Sequence, residues 1–168
     1  MRILVSLFCL FMSSIAHSAP YQVGDTPFDL VGKTSTGQEI KVSDYKGKVV
    51  IVSFWASWCG PCKKELPILA GIQKSATPEN LQVISINIDE DRRLFKKLEK
   101  ALALGDMILV SDAKKRVGKK YGVEGIPHMV IIDAEGKVAS VHIGYSEEML
   151  PALVEEINEI YRSGKAES

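Results

Sequence analysis

The sequence predicts an α/β fold in which a mixed central β-sheet is flanked by helices and preceded by a β-hairpin. Three observations predict it. Apolar, β-branched runs alternate with segments of helical apolar spacing between residues 49 and 121, the pattern of a sheet with helices packed on its faces. Two short apolar runs flank the turn Ala134-Glu135-Gly136-Lys137, which adds an antiparallel hairpin and makes the sheet mixed. The 168 residues are 46% hydrophobic and 25% charged, a one-domain length with enough apolar content to bury a core. Intrinsic disorder, a collagen-like repeat and a multi-span membrane protein are thereby excluded. Lys+Arg and Asp+Glu number 21 each. A phosphate-tracking protein carries a basic excess, so no nucleic-acid partner is expected.

The chain opens on Met1-Arg2, an apolar run from Ile3 to Ile15, and the small-residue stretch Ala16-His17-Ser18-Ala19. This order is that of a secretory signal peptide. We assign residues 1–18 to it, with cleavage after Ser18, or after Ala19 with Pro20 immediately downstream. The run is shorter than the roughly 20 residues of a membrane span; an uncleaved membrane anchor is the alternative. Cys9 leaves with the signal, so Cys59 and Cys62 are the cysteines of the exported chain and any intramolecular disulfide joins them. A periplasm or similar compartment, where disulfides persist, is the expected location.

In the domain, expected over residues 20–162, Phe28–Val31 and Glu39–Val42 read as the N-terminal hairpin. Val49 to Trp55 is almost continuously apolar, the sign of a central strand covered on both faces. Leu66, Leu69, Ala70 and Ile72 give the next segment helical spacing. Leu81–Ile88 is a strand, and Asp91–Leu104 an amphipathic helix with Leu94, Phe95, Leu98 and Leu102 on one face. Met107–Val110 reads as a short strand and Lys114–Tyr121 as a short helix stopped by Gly122. Met129–Asp133 and Val138–Ile143 form the second hairpin. Glu147–Tyr161 is the closing helix, followed by a polar tail at residues 163–168.

The chemistry concentrates at Trp58-Cys59-Gly60-Pro61-Cys62. A strand ends at Trp55 and a helix begins near Gly60, so Cys59 stands at the helix N-terminus. Unpaired N–H groups and the positive end of the helix dipole stabilise a thiolate there. Pro61 suits the first turn, where its missing N–H is no loss. Cys62 lies deeper in the helix. This asymmetry makes Cys59 the nucleophile and Cys62 the cysteine that resolves a mixed disulfide. A zinc site needs four ligands, and beyond this pair the exported chain offers only His128 and His142. No metal and no cofactor are therefore expected.

The segment from Val52 through Cys62 resembles the active-site segment of the thioredoxin superfamily. Cys62-Lys63-Lys64-Glu65-Leu66-Pro67 is similar to the TlpA/ResA-like exported thiol–disulfide oxidoreductases. Ser43-Asp44-Tyr45-Lys46-Gly47-Lys48, Tyr121-Gly122-Val123-Glu124-Gly125-Ile126-Pro127 and Ile131 to Val138 resemble the same branch, in the same order. The resemblance implies a thioredoxin-like fold with an N-terminal hairpin extension. It implies a cis-proline at Pro127 facing the cysteines, which exposes the Ile126 backbone for strand-like pairing with a client peptide. Trp55 and Trp58 resemble the family's aromatic shield.

Two positions depart from thioredoxin. Its buried aspartate falls at Ser53, and Glu65 matches a glutamate of ResA-like proteins. Glu65 is either a partly buried base for the Cys62 proton or an ordinary exposed helix residue. His128 stands where thioredoxin usually has threonine. It is expected as an unremarkable sheet-edge histidine, with a modulating role if it lies near Cys59. His142 is expected at the surface.

The leading reading is thus an enzyme, a monomeric thiol–disulfide oxidoreductase of the reductase type. Its clients would be protein disulfides or dithiols, and a membrane electron-transfer partner would supply it. The alternatives are an oxidising disulfide donor or isomerase, and a Cu(I) chaperone using Cys59, Cys62 and His128. A peroxidase lacks its Pro-x-x-x-Thr/Ser-x-x-Cys context here, which leaves any antioxidant activity unsupported.

Overall fold

The computed structural model describes residues 21–166; the expected signal peptide and the last two tail residues lie outside them. Seven strands form one sheet: β1 (Leu30–Lys33), β2 (Glu39–Lys41), β3 (Val49–Trp55), β4 (Leu81–Ile88), β5 (Ile108–Asp112), β6 (His128–Ile132) and β7 (Val138–Ile143). Their spatial order is β2-β1-β5-β4-β3-β6-β7. Strands β3, β4 and β5 run parallel, whereas β6 is antiparallel to β3 and β7 to β6. The N-terminal hairpin does more than precede this unit. Through Lys33 opposite Ser111 it joins β5 and extends the sheet.

Helices α1 (Gly60–Ser75), α2 (Arg92–Leu102) and α4 (Leu150–Ala166) pack on one face. There Leu66, Leu69, Phe95, Leu153 and Ile157 meet Ile51, Trp55, Met129 and Ile131. The other face is covered by α3 (Arg116–Lys120) and the N-terminal segment, with Tyr121 and Val117 against Phe54, Val52, Val130 and Ile132. All seven residues of β3 are buried, as expected of a strand covered on both sides. Each large aliphatic or aromatic side chain so removed from water is worth about 1.5–3 kcal/mol.

Element ends depart from the sequence reading for identifiable reasons. Phe28 lies outside β1 because two tyrosines claim its backbone: its N–H donates to the Tyr21 hydroxyl at 2.7 Å and its carbonyl accepts from Tyr121 at 2.8 Å. Val42 opens a short 3₁₀ turn over Val42–Tyr45. The strand β5 runs on to Asp112, whose carboxylate accepts the N–H groups of Arg116 and Gly118. Lys115 has a left-handed φ of 52°, so α3 starts after it. Asp91 is the N-cap of α2, and Ala103 turns left-handed to end it. Glu147–Met149 is a 3₁₀ turn leading into α4. The closing helix ends later than Tyr161: α4 continues to Ala166, into the polar tail. It passes the β6–β7 turn closely at Gly164, where a Cβ would meet that of Ala134 at 3.3 Å.

Candidate active site

Strand β3 delivers the chain to the carboxyl edge of the parallel strands, and the turn Ala56–Cys59 carries it into α1. The Cys59 N–H closes that turn on the Ala56 carbonyl at 3.1 Å. Cys59 is the N-cap of α1, its Sγ accepting the Cys62 N–H at 3.2 Å. The sulfur therefore sits among the unpaired donors of the first helical turn, where negative charge is favoured. Cys59 and Cys62 are joined as a disulfide, with Cα atoms 5.3 Å apart. Cys59 keeps 5% of its surface exposed and Cys62 none. Gly60 and Pro61 are exposed in the first turn.

The Ile126–Pro127 peptide is cis. It brings the Ile126 carbonyl oxygen to 3.7 Å from the Cys59 sulfur. Trp58 is 64% exposed next to Cys59, whereas Trp55 is buried beneath, so the two tryptophans divide into a surface side chain and a core one. An open cleft of about 590 Å³ lies alongside, lined by Gly60, Pro61, Lys64, Tyr145, Glu147 and Glu148.

Glu65 resolves in favour of the buried alternative. It is 1% exposed and accepts the Ser53 hydroxyl at 2.7 Å. Burial pushes its carboxyl up to about 7, with the Ser53 bond pulling the other way. Three residues along α1 from Cys62, it is a neighbour of that side chain on the same helix face. Ser53 cannot accept a proton at working pH, but it supplies the donor that holds the carboxyl in place.

His128 corrects the sequence reading. Far from an exposed edge, it lies between β3 and β7 and is 1% exposed. Its ring stands edge-on to Phe54, its register partner, at 6.0 Å. Paired strand residues share a face, so His128 points into the Tyr121 core, on the side of the sheet opposite Cys62 and Leu66. The set Cys59, Cys62 and His128 is not assembled. His142 is half-buried rather than superficial, bound to Glu156 on α4 at 2.8 Å.

One residue escaped the sequence reading. Glu90 lies in the acidic and basic run Asp89-Glu90-Asp91-Arg92-Arg93, which reads as solvated. It is nevertheless 5% exposed and accepts the Ser57 N–H at 2.7 Å. No local pattern signals it, because the turn N–H it binds lies 33 residues earlier in the chain.

Comparisons place this arrangement among known proteins. The Redoxin family model matches residues 22–157. The thiol-disulfide oxidoreductase ResA of Bacillus subtilis is 29% identical over 153 residues, covering 88% of this chain and 85% of its own. The thioredoxin-like protein YneN of the same organism is 31% identical over 126 residues, 73% of this chain and 72% of its own. A Chlorobium tepidum crystal structure, described as a thiol:disulfide interchange protein DsbE, superposes with a TM-score of 0.77 at 32% identity. It covers 83% of this chain and 98% of that one. With its thioredoxin-like fold and its Cys59–Cys62 pair at the head of α1, the chain belongs to the Redoxin family, among the ResA-like thiol–disulfide oxidoreductases.

Proposed function

We propose that the chain reduces disulfides of protein clients outside the cytosol, with Cys59 as nucleophile and Cys62 as resolving cysteine. The observation that carries this reading is the asymmetry of the pair. Cys59 holds its only exposed surface, at the N-cap beside Ile126 and cis-Pro127, while Cys62 is enclosed near Glu65. In the dithiol form the Cys59 thiolate attacks a client disulfide, forming a mixed disulfide and releasing one client thiolate. Cys62 then loses its proton to Glu65 and attacks the Cys59 sulfur. The second client thiolate leaves, and the two electrons of the dithiol have passed to the client. Ile126 presents backbone beside the sulfur for an extended client segment. Trp58, Gly60 and Pro61 form the rim that such a segment crosses.

In the same reading residues 1–18 are a signal peptide and residues 20–162 the working domain. A membrane electron donor regenerates the dithiol, since the compartment is oxidising. Among the described residues no helix is long and apolar enough to cross a membrane.

Two measurements test the proposal. Cys62→Ser should trap a mixed disulfide through Cys59, whereas Cys59→Ser should trap none; the reverse pattern overturns the roles. A reduction potential of about −270 mV or lower fits a reductase, and one near about −120 mV makes the protein a disulfide donor instead.

A further inference from the structure

Resting on that reading, we propose that Glu90 is a positioning residue for Cys59: its carboxylate fixes the turn that carries the nucleophile, and its negative charge holds back thiolate formation there. The turn Ala56–Cys59 satisfies its last N–H internally, on the Ala56 carbonyl. The N–H of Ser57, its second residue, has no such partner within the turn and is half-buried, so it needs an acceptor from elsewhere. Glu90 Oε1 supplies it at 2.7 Å. The other oxygen, Oε2, accepts from the amide of Asn87, which is fully buried on β4 and lies opposite Trp55 in the sheet. A strand end thus braces the carboxylate, and the carboxylate braces the turn two residues before Cys59.

A charge-assisted bond to backbone N–H is stronger than a neutral one. A carboxylate enclosed beside the loop also acts on charge forming at Cys59 with little solvent screening. The direction follows: Glu90 disfavours the Cys59 thiolate and so disfavours the reduced form, which makes the pair a stronger reductant. Other ionisable groups face this corner. Glu65 lies on α1, and Lys64 pairs with Glu147 across the cleft at 3.5 Å. Asp89 pairs with Lys115 at 2.9 Å, and His128 lies across the sheet. None of them touches the Ser57 N–H.

The structure also provides an unusually clean variant. Asn87 Oδ1 has no partner among the described residues. In Glu90→Gln the new amide can therefore donate to Asn87, once the Asn87 amide turns over, while its oxygen still accepts from Ser57. Charge is removed and both bonds are kept. Full-length Glu90→Gln should titrate Cys59 at lower pH, read from thiolate absorbance. Its thiolate fraction at pH 7 should rise severalfold, and its potential against glutathione buffers should become less negative, with wild-type thermal stability. Glu90→Ala should add a loss of stability. A purely structural Glu90 would leave the Cys59 titration and the potential of Glu90→Gln at wild-type values, and that result overturns the inference. Failure of the wild-type pair to exchange with glutathione at all would instead bring down the proposed function, and this inference with it.

Discussion

The Ser53 hydroxyl donates to Glu65 Oε2 at 2.7 Å inside the core, with the two side chains 0% and 1% exposed. The strand supplies the donor and the helix the carboxyl, the reverse of a strand-borne aspartate. Burial raises the Glu65 pKa and is the larger effect; the Ser53 bond stabilises the ionised form and works against it, leaving the carboxyl at about 7. A carboxyl poised there can both take the Cys62 proton and return it near neutral pH.

Glu65→Gln should therefore slow resolution of the mixed disulfide by about 10²-fold at pH 7, the usual worth of a positioned base. Attack by Cys59 should be spared. Ser53→Ala should move the midpoint of the single-turnover pH profile upward from about 7, because the bond that lowers it is gone. Rapid-quench reduction of a model disulfide across pH reads both. An unchanged profile in Glu65→Gln would remove Glu65 from the proton path.

The same group makes stability depend on pH, and the sign is fixed. The folded carboxyl titrates at about 7, above its value of about 4.3 in the unfolded chain. Between those values the native state binds the extra proton, so stability falls as pH rises through the window and levels off above it. The full fall is on the order of 3 kcal/mol. Urea melts between pH 4.5 and 8 should show this slope in wild type and lose its Glu65 component in Glu65→Gln.

His128 contributes the opposite slope. Burial lowers its pKa, and neither ring nitrogen has a partner among the described residues. The native imidazole stays neutral while the unfolded chain gains a proton below about pH 6.5, so stability is lost on acidification. His128→Leu should remove that acid loss. It should also gain about 1 kcal/mol at neutral pH, because a buried unpartnered polar group is replaced by an apolar one. The reduction potential should not move, since the ring faces away from Cys62 across the sheet. A shifted potential in this variant would contradict that geometry.

What the sequence disclosed and what it withheld divide along the range of the interactions. Val49–Trp55, Leu81–Ile88, the cysteine pair at a helix head and Pro127 were legible because strand pattern, cap chemistry and motif are local. Glu65 stayed ambiguous because a single helix position carries both an exposed and a buried reading until the strand beneath is known to place Ser53 there. His128 was misjudged for the same reason: the hairpin with β7 was legible, but the pairing of β6 with β3 on its other side, which sets His128 against Phe54, was not. Glu90 was invisible, since its partner Ser57 lies in another loop. The start of β1 was missed because two tyrosine hydroxyls, a contact no periodicity encodes, take the Phe28 backbone out of the ladder.

The hairpin's junction with the sheet supplies a last expectation. Gly32 sits at the register shift of β1 with a φ of +142°. A Cβ there would lie 3.0 Å from Val110 Cγ2 and 3.1 Å from the Ser111 carbonyl. Gly32→Ala therefore meets both an unfavourable backbone conformation and overlap with a packed strand that cannot yield without moving β5. The combined cost should be about 2–4 kcal/mol. Gly37, in the same hairpin at φ +97°, has open space where its Cβ would go. Gly37→Ala carries the backbone cost without the overlap, about 1 kcal/mol. Paired urea melts separate the two, and equal losses would show that the β1–β5 contact gives way freely. Both variants should keep wild-type disulfide exchange, because neither residue touches the Ala56–Cys59 turn, Glu65 or Ile126.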